Sequence, residues 1–172
     1  MIISVVCASV LFMGVGYAYI SETKSNLGVA DGNASLNVVF TSVKAHQLQD
    51  NLAIDLGTSI ATDAKTVTFD VNLIQTGDKI LYTIEAYNQG SADAVVRNIN
   101  VKEQTSSDVS GNKADAANAV KYVVEGLSEG AVIPSGSKVA FTVSAEYDNT
   151  AKVEGAVQKR VTVSLDYKVA VK

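Results

Sequence analysis

The chain holds one cysteine, one histidine and no tryptophan among its 172 residues, and no run of lysine or arginine. Each scarcity excludes something. The single cysteine, Cys7, cannot close an intrachain disulfide, and it lies in an apolar stretch, so the rest of the chain carries no thiol. That usage is compatible with export without demanding it. The single histidine, His46, cannot supply a His-Glu-x-x-His zinc helix, and no Gly-x-Ser-x-Gly elbow accompanies any serine. His46 falls in the polar stretch Lys44–Asn51, which reads as a loop with a solvated imidazole. A formal charge of −4 without a basic cluster leaves nothing to displace counterions from nucleic acid, so no nucleic-acid partner is expected. The carboxylates Asp50, Asp55, Asp63, Asp70, Asp78, Asp93, Asp108 and Asp115 are dispersed. None forms an Asp-x-Asp-x-Asp-Gly calcium loop, and spacing gives no support for a Ca²⁺ ion between loops. With no phosphate-binding loop either, no set of residues converges for proton transfer. The expectation is no catalytic residue, no metal and no cofactor: not an enzyme.

What is present is apolar. Hydrophobic residues make up 47% and charged residues 19%, enough for one cored domain with an appendage and unlike a disordered acidic tail. Residues Met1–Ile20 contain no charge, and only Ser4 and Ser9 interrupt the run. As a helix they would rise roughly 30 Å, the thickness of a bilayer's hydrocarbon core. A helix in water would need polar residues on its solvent face every three or four positions. Lipid, or the apolar core of an assembly, is therefore expected around Ile2, Ile3, Val5, Val6, Val10, Leu11, Phe12, Val15, Tyr19 and Ile20. Three readings stay open. Gly16-Tyr17-Ala18 has the small-residue pattern of a secretory cleavage site, with processing between Ala18 and Tyr19, but Met1 opens the apolar run without a basic leader. A membrane anchor also usually carries flanking Lys or Arg. A pilin-type chain, processed ahead of Met1 and keeping its apolar segment as an assembly helix, is the third.

Residues 21–35 are rich in Gly, Ser, Asn and Asp and read as a linker or arm in which Leu27 and Val29 form a candidate donor strand. From there on, across residues 36–172, the period is two. In Thr66–Ile74, Val67, Phe69, Val71 and Leu73 face one way and Thr68, Asp70 and Asn72 the other. In Lys159–Lys172, Val161, Val163, Leu165, Tyr167, Val169 and Val171 alternate with Arg160, Thr162, Ser164, Asp166, Lys168 and Ala170. Such alternation marks strands with one face on a core and one in water. Further strands are predicted at Leu36–Val43, Leu52–Leu56, Lys79–Tyr87, Ala94–Lys102, Ala119–Val124 and Lys138–Tyr147, with breaks at Gly57, Thr76–Asp78, Gln89–Ser91, Gly111-Asn112, Gly130 and Pro134–Gly136. A short helix is plausible only around Lys113–Ala119. The fold class predicted is all-β: an Ig-like or jelly-roll antiparallel sandwich of about seven to nine strands, preceded by an apolar N-terminal helix. Thr76–Ala86 also echoes Ser135–Ala145, each a Gly turn, a Lys, then an aromatic and a β-branched residue on one face. This reads as two strands of one sandwich sharing a local solution, not as a duplicated domain.

The stretch Gln75–Val101 (QTGDKILYTIEAYNQGSADAVVRNINV) resembles the Gly-Asp-x-hydrophobic-x-Tyr-Thr-Ile block of bacterial surface β-sandwich domains, and is similar in particular to the TasA/camelysin group. The junction Gly14–Thr23 and the block Pro134–Val143 resemble the same group. The resemblance implies a secreted or surface-attached subunit of extracellular, biofilm-matrix fibres, in which the N-terminal segment of one copy completes the sheet of its neighbour. It implies a homopolymer at the cell surface, in contact with membrane at least before assembly. A pilin comparison departs at Val5, where such helices usually carry Glu. Strand donation and helix bundling both remain routes of assembly; the competing expectation is a membrane-anchored, monomeric adhesion or binding module.

Overall fold

The computed structural model describes residues 34–49, 51–104, 119–151 and 155–170. The expected apolar helix, the linker up to residue 33 and the Ala-rich stretch 113–118 lie outside these. The described chain forms nine strands: β1 Val38–Gln47, β2 Ile54–Ile60, β3 Thr66–Leu73, β4 Lys79–Asn88, β5 Ala94–Glu103, β6 Val120–Glu125, β7 Val132–Ile133, β8 Lys138–Tyr147 and β9 Val157–Val169. No helix occurs among the described residues.

Two antiparallel sheets result, one ordered β1-β4-β8-β6 and the other β2-β3-β9-β5-β7. Alternation dictates how they meet. On β3, Val67, Phe69, Val71 and Leu73 are buried while Thr68, Asp70 and Asn72 are half-exposed. On β4, Ile80, Tyr82, Ile84, Ala86 and Asn88 are buried in the same rhythm. The two inner faces pack on one another: the Phe69 ring of one sheet stacks on the Tyr82 ring of the other, centroids 3.9 Å apart and 17° from parallel. The molecule is a β-sandwich whose core lies between the sheets.

Only the β2–β3 connection stays within one sheet; every other connection crosses to the opposite one. Strand neighbours are consequently far apart in sequence, and β9, the last strand, is inserted between β3 and β5. The echoed segments are the adjacent strands β4 and β8, with Tyr82 opposite Val143 and Ile84 opposite Phe141. Each pair sets an aromatic beside a β-branched residue, a favourable cross-strand arrangement. Their turns use Gly77 (φ +86°) and Gly136 (φ +70°), backbone conformations open to glycine without steric cost.

Two sequence expectations are corrected, and the structure adds two features that carried no expectation. His46 is not in a loop: it lies on β1 opposite Leu81, exposed on the outward face. The polar stretch keeps period two there, with Val43 and Ala45 half-buried against the core and Lys44 and His46 exposed, and pairing with β4 carries β1 on to Gln47 rather than ending it at Val43. Gly57 does not end a strand: β2 runs through it by a register shift between Asp55 and Gly57, a bulge that glycine accommodates. The pair Val132–Ile133 forms a strand between two turns, too short for any periodicity to reveal. Finally, Lys159 stands on the inward face of β9 and is buried, where the alternation alone would put an apolar side chain.

Candidate assembly surface

The residues singled out for assembly in the sequence (Ile2, Ile3, Val5, Val6, Val10, Leu11, Phe12, Val15, Tyr19 and Ile20, the processing pair Ala18 and Tyr19, and Leu27 and Val29) lie outside the described residues. What is described is the root from which that segment departs, and the surfaces at which a segment of that kind could dock.

The root is fixed at one end of the sandwich. Ser35 N–H donates to Ser91 Oγ (3.0 Å), Gln89 N–H to the Asn37 carbonyl (2.8 Å) and Ala92 N–H to the Ser35 carbonyl (3.2 Å). Lys65 Nζ donates to Asn37 Oδ1 (2.6 Å), to the Val38 carbonyl (2.7 Å) and to Tyr167 Oη (3.1 Å). Beneath the root, Gly90 has no room for a side chain, since a Cβ there would stand 2.3 Å from the Ser35 carbonyl oxygen. Asn88, fully buried, shapes this loop by donating to the Ala92 and Ile133 carbonyls (2.9 Å each) and accepting from Gly90 N–H (3.0 Å). The Asn-x-Gly of the resembling block is thus a structural device that seats the first residues of the domain.

Each sheet leaves two edge strands, β1 and β6 on one and β2 and β7 on the other. Strand β2 is the most open, with no residue buried along its length. Around it gather four of the six exposed large hydrophobics: Leu48 (39% exposed), Leu52 (52%), Ile54 (44%) and Leu56 (48%). They form an apolar corner on a backbone that is held in place. The buried Asp78 carboxylate accepts from Leu52 N–H (3.1 Å), Ile74 N–H (2.9 Å) and Gln75 N–H (3.0 Å). Gln47 Nε2 donates to the Ala53 carbonyl (2.7 Å), and Ala53 N–H donates to Asn51 Oδ1 (2.8 Å). Burial and the neighbouring Asp55 push the Tyr82 phenol far above its ordinary range, and its hydroxyl contacts Asp55 Oδ1 (3.2 Å) on the inward side of β2.

Polar pairs elsewhere are tied to the fold. Arg160 grips Asp70 with two bonds of 2.7 Å across β9 and β3 on the outer face. Lys159 and Glu103 meet at 2.8 Å inside the sandwich, beside the buried Tyr122 hydroxyl. That hydroxyl lies near Glu103 without reaching hydrogen-bond geometry, and burial together with the carboxylate raises its pKa far above the usual value. Asp148 is held down to about 2 by the Thr150 backbone N–H, the Lys121 ammonium and the Thr150 hydroxyl. No group of three His, Cys, Asp or Glu able to hold a metal exists among the described residues.

Comparison with known proteins returned no match to a family model, a curated sequence or a solved structure.

The apolar corner escaped the sequence reading. Leu52, Ile54 and Leu56 alternate and were legible as a strand; that this strand stands at a sheet edge is decided by residues far away in the chain.

Proposed function

We propose that this protein is a structural, non-catalytic subunit of an extracellular filament, assembled through its N-terminal region into a homopolymer at the cell surface. The observation that carries this reading is the exposed edge strand β2 with its rigidly held apolar corner. Soluble monomers generally cover or charge such edges, because unpaired N–H and C=O groups beside apolar side chains recruit further strands. The resemblance of Gln75–Val101 to biofilm-fibre sandwiches of Ig-like or jelly-roll type supports the same conclusion. Between the two routes of assembly, an available edge favours strand donation over helix bundling. The apolar run Met1–Ile20 is consistent with membrane contact before assembly.

The test is removal of residues 1–33 followed by electron microscopy of the purified protein. Loss of filaments is expected. Filaments that form undiminished without that region would reject the reading. A full-length chain that stays monomeric in detergent would favour the anchored binding module instead.

A further inference from the structure

We propose that the outer face of the five-stranded sheet binds a linear polysaccharide that carries carboxylate groups, held by Arg97 and Lys102 over a floor of serine and threonine hydroxyls.

The two outer faces of the sandwich differ. On the four-stranded sheet the long charged side chains engage one another: Lys79 pairs with Glu146 (3.4 Å), Lys138 with Glu85 (2.8 Å) and Lys121 with Asp148 (2.9 Å). On the five-stranded sheet, register sets short polar side chains abreast: Asn100, Ser164 and Thr66 in one row, Thr162, Thr68 and Ser59 in the next. None of the six is buried. Short side chains make a shallow floor, and two open depressions lie over it. One, of about 840 Å³, takes in Thr66 and Ser164; the other, of about 400 Å³, takes in Thr68 and Ser59. Topology opens the larger one. Strand β9 runs on past the first residue of β3, whose last pair is Thr66 with Ser164, so Leu165–Tyr167 have a strand beside them only on the β5 side.

The walls of this depression carry the chemistry. A bulge between Val96 and Asn98 leaves both Arg97 and Asn98 exposed, where strict alternation would turn one of them inward. The Arg97 and Lys102 side chains form no hydrogen bond or ion pair among the described residues. Beside them, Asn98 Nδ2 donates to Asn100 Oδ1 (2.8 Å) and Asn100 Nδ2 to Asp166 Oδ2 (2.9 Å). That chain of bonds fixes the amide planes and leaves Asn98 Oδ1 and Asp166 Oδ1 as acceptors next to the Arg97 donors. Four cations on this face, Arg97, Lys102, Arg160 and Lys168, stand against two carboxylates, Asp70 and Asp166, in a chain whose net charge is −4. A positive face on an acidic protein is complementary to an anionic partner.

Spacing and side-chain type narrow the partner. Arg97 and Lys102 are separated along β5 by roughly 15 Å at about 3.3 Å per residue, so one small anion cannot engage both and an extended polymer can. A peptide strand is recognised through its backbone at a sheet edge, whereas a sheet face presents side chains alone. A single-stranded nucleic acid stacks its bases on aromatic rings. The one ring lining the larger depression, Tyr167, already has the Lys65 ammonium over it at 5.7 Å, and its hydroxyl accepts from that ammonium. A polysaccharide needs neither edge nor ring. Its hydroxyls donate and accept, as do the Ser and Thr hydroxyls and Asn amides of the floor. Its carboxylates match the planar guanidinium of Arg97, which can hold one with two parallel bonds.

The test presents the full-length chain to polygalacturonate, a linear uronate polymer, immobilised on a biosensor at physiological salt. Binding is expected, and Arg97→Gln/Lys102→Gln should weaken it about tenfold or more, because each substitution removes a charge-assisted contact. The charge-matched pair Lys44→Gln/Lys138→Gln, on the four-stranded sheet, should weaken it about twofold at most, since screened charges act weakly at that distance. Ser164→Phe raises the floor without altering charge and should abolish binding, with the far-ultraviolet strand signal confirming that each variant is folded. No binding to polygalacturonate, or an equal loss in the two charge pairs, would overturn the site. Equal affinity for poly-L-glutamate or for oligothymidylate would show a response to charge alone and overturn recognition of a sugar chain. Equal affinity for uncharged dextran would overturn the role of the carboxylates.

Discussion

Phe69 and Tyr82 belong to opposite sheets and stack at 3.9 Å with both rings fully buried, while the Tyr82 hydroxyl reaches out of the core to Asp55 on the open edge strand. A single side chain thus joins the packed centre of the sandwich to the surface proposed for assembly. Replacing Phe69 with alanine removes one ring of the stack and leaves a cavity that the surrounding strands cannot fill. A loss of about 3–5 kcal/mol is expected in urea denaturation. Tyr82→Phe retains the ring but leaves Asp55 without that donor, so it should cost less than Phe69→Ala. The reverse ranking would show that the hydroxyl, and not the stacking, organises this part of the core.

Two of the seven tyrosines, Tyr82 and Tyr122, are driven far above the ordinary phenol range, chiefly by burial and then by the carboxylates Asp55 and Glu103. In the unfolded chain a phenol releases its proton near pH 10, whereas these two keep theirs while folded. The folded state then binds more protons than the unfolded one, so their contribution to stability is fully present below about pH 10 and is lost as pH rises beyond it. The check is a spectrophotometric titration of tyrosinate followed together with the far-ultraviolet strand signal. The signal of Tyr82 and Tyr122 should appear only together with loss of the strand signal. Reversible titration of Tyr82 or Tyr122 in the folded protein would contradict this.

Lys159 and Glu103 form an ion pair with side chains only 4% and 24% exposed. Glu103→Leu would strand the Lys159 ammonium inside the sandwich at an expected cost of about 3–5 kcal/mol. Adding Lys159→Met removes the stranded charge, and the double variant should recover most of that loss, because a well-packed apolar pair of similar volume often matches a buried ion pair. The comparison requires thermal or urea unfolding of the two variants and the parent. A double variant no more stable than Glu103→Leu alone would mean that the pair contributes through geometry no apolar substitute reproduces.

Gly90 is required by proximity, since a Cβ would also stand 2.8 Å from Asn37 N in addition to its contact with Ser35. Gly90→Ala must push the root of the N-terminal segment away from the loop after β4. A destabilisation of about 1–3 kcal/mol is expected, as for other overpacked sites. Amide exchange should accelerate most at Gln89 and Ala92, whose N–H groups are bonded to Asn37 and Ser35. Uniform acceleration across all strands would place the damage in the core instead of at the root.

Much of this architecture was legible in the chain because the β period is local. Alternation over Thr66–Leu73 and Val157–Val169 states which side chains share a face, whatever those strands later pair with. The same local logic identified Gly77 and Gly136 as turns. The tertiary structure decided everything that depends on neighbours. Because nearly every connection crosses between sheets, adjacency joins residues remote in sequence, such as Asp70 with Arg160 and Lys65 with Tyr167. Only that adjacency makes β2 an edge, admits a buried Lys159 beside Glu103, and leaves Leu52, Ile54 and Leu56 of the expected strand exposed. Period two tells a strand which way its side chains point; whether another strand lies beside it is set by hydrogen bonds between distant segments, and no local pattern encodes that.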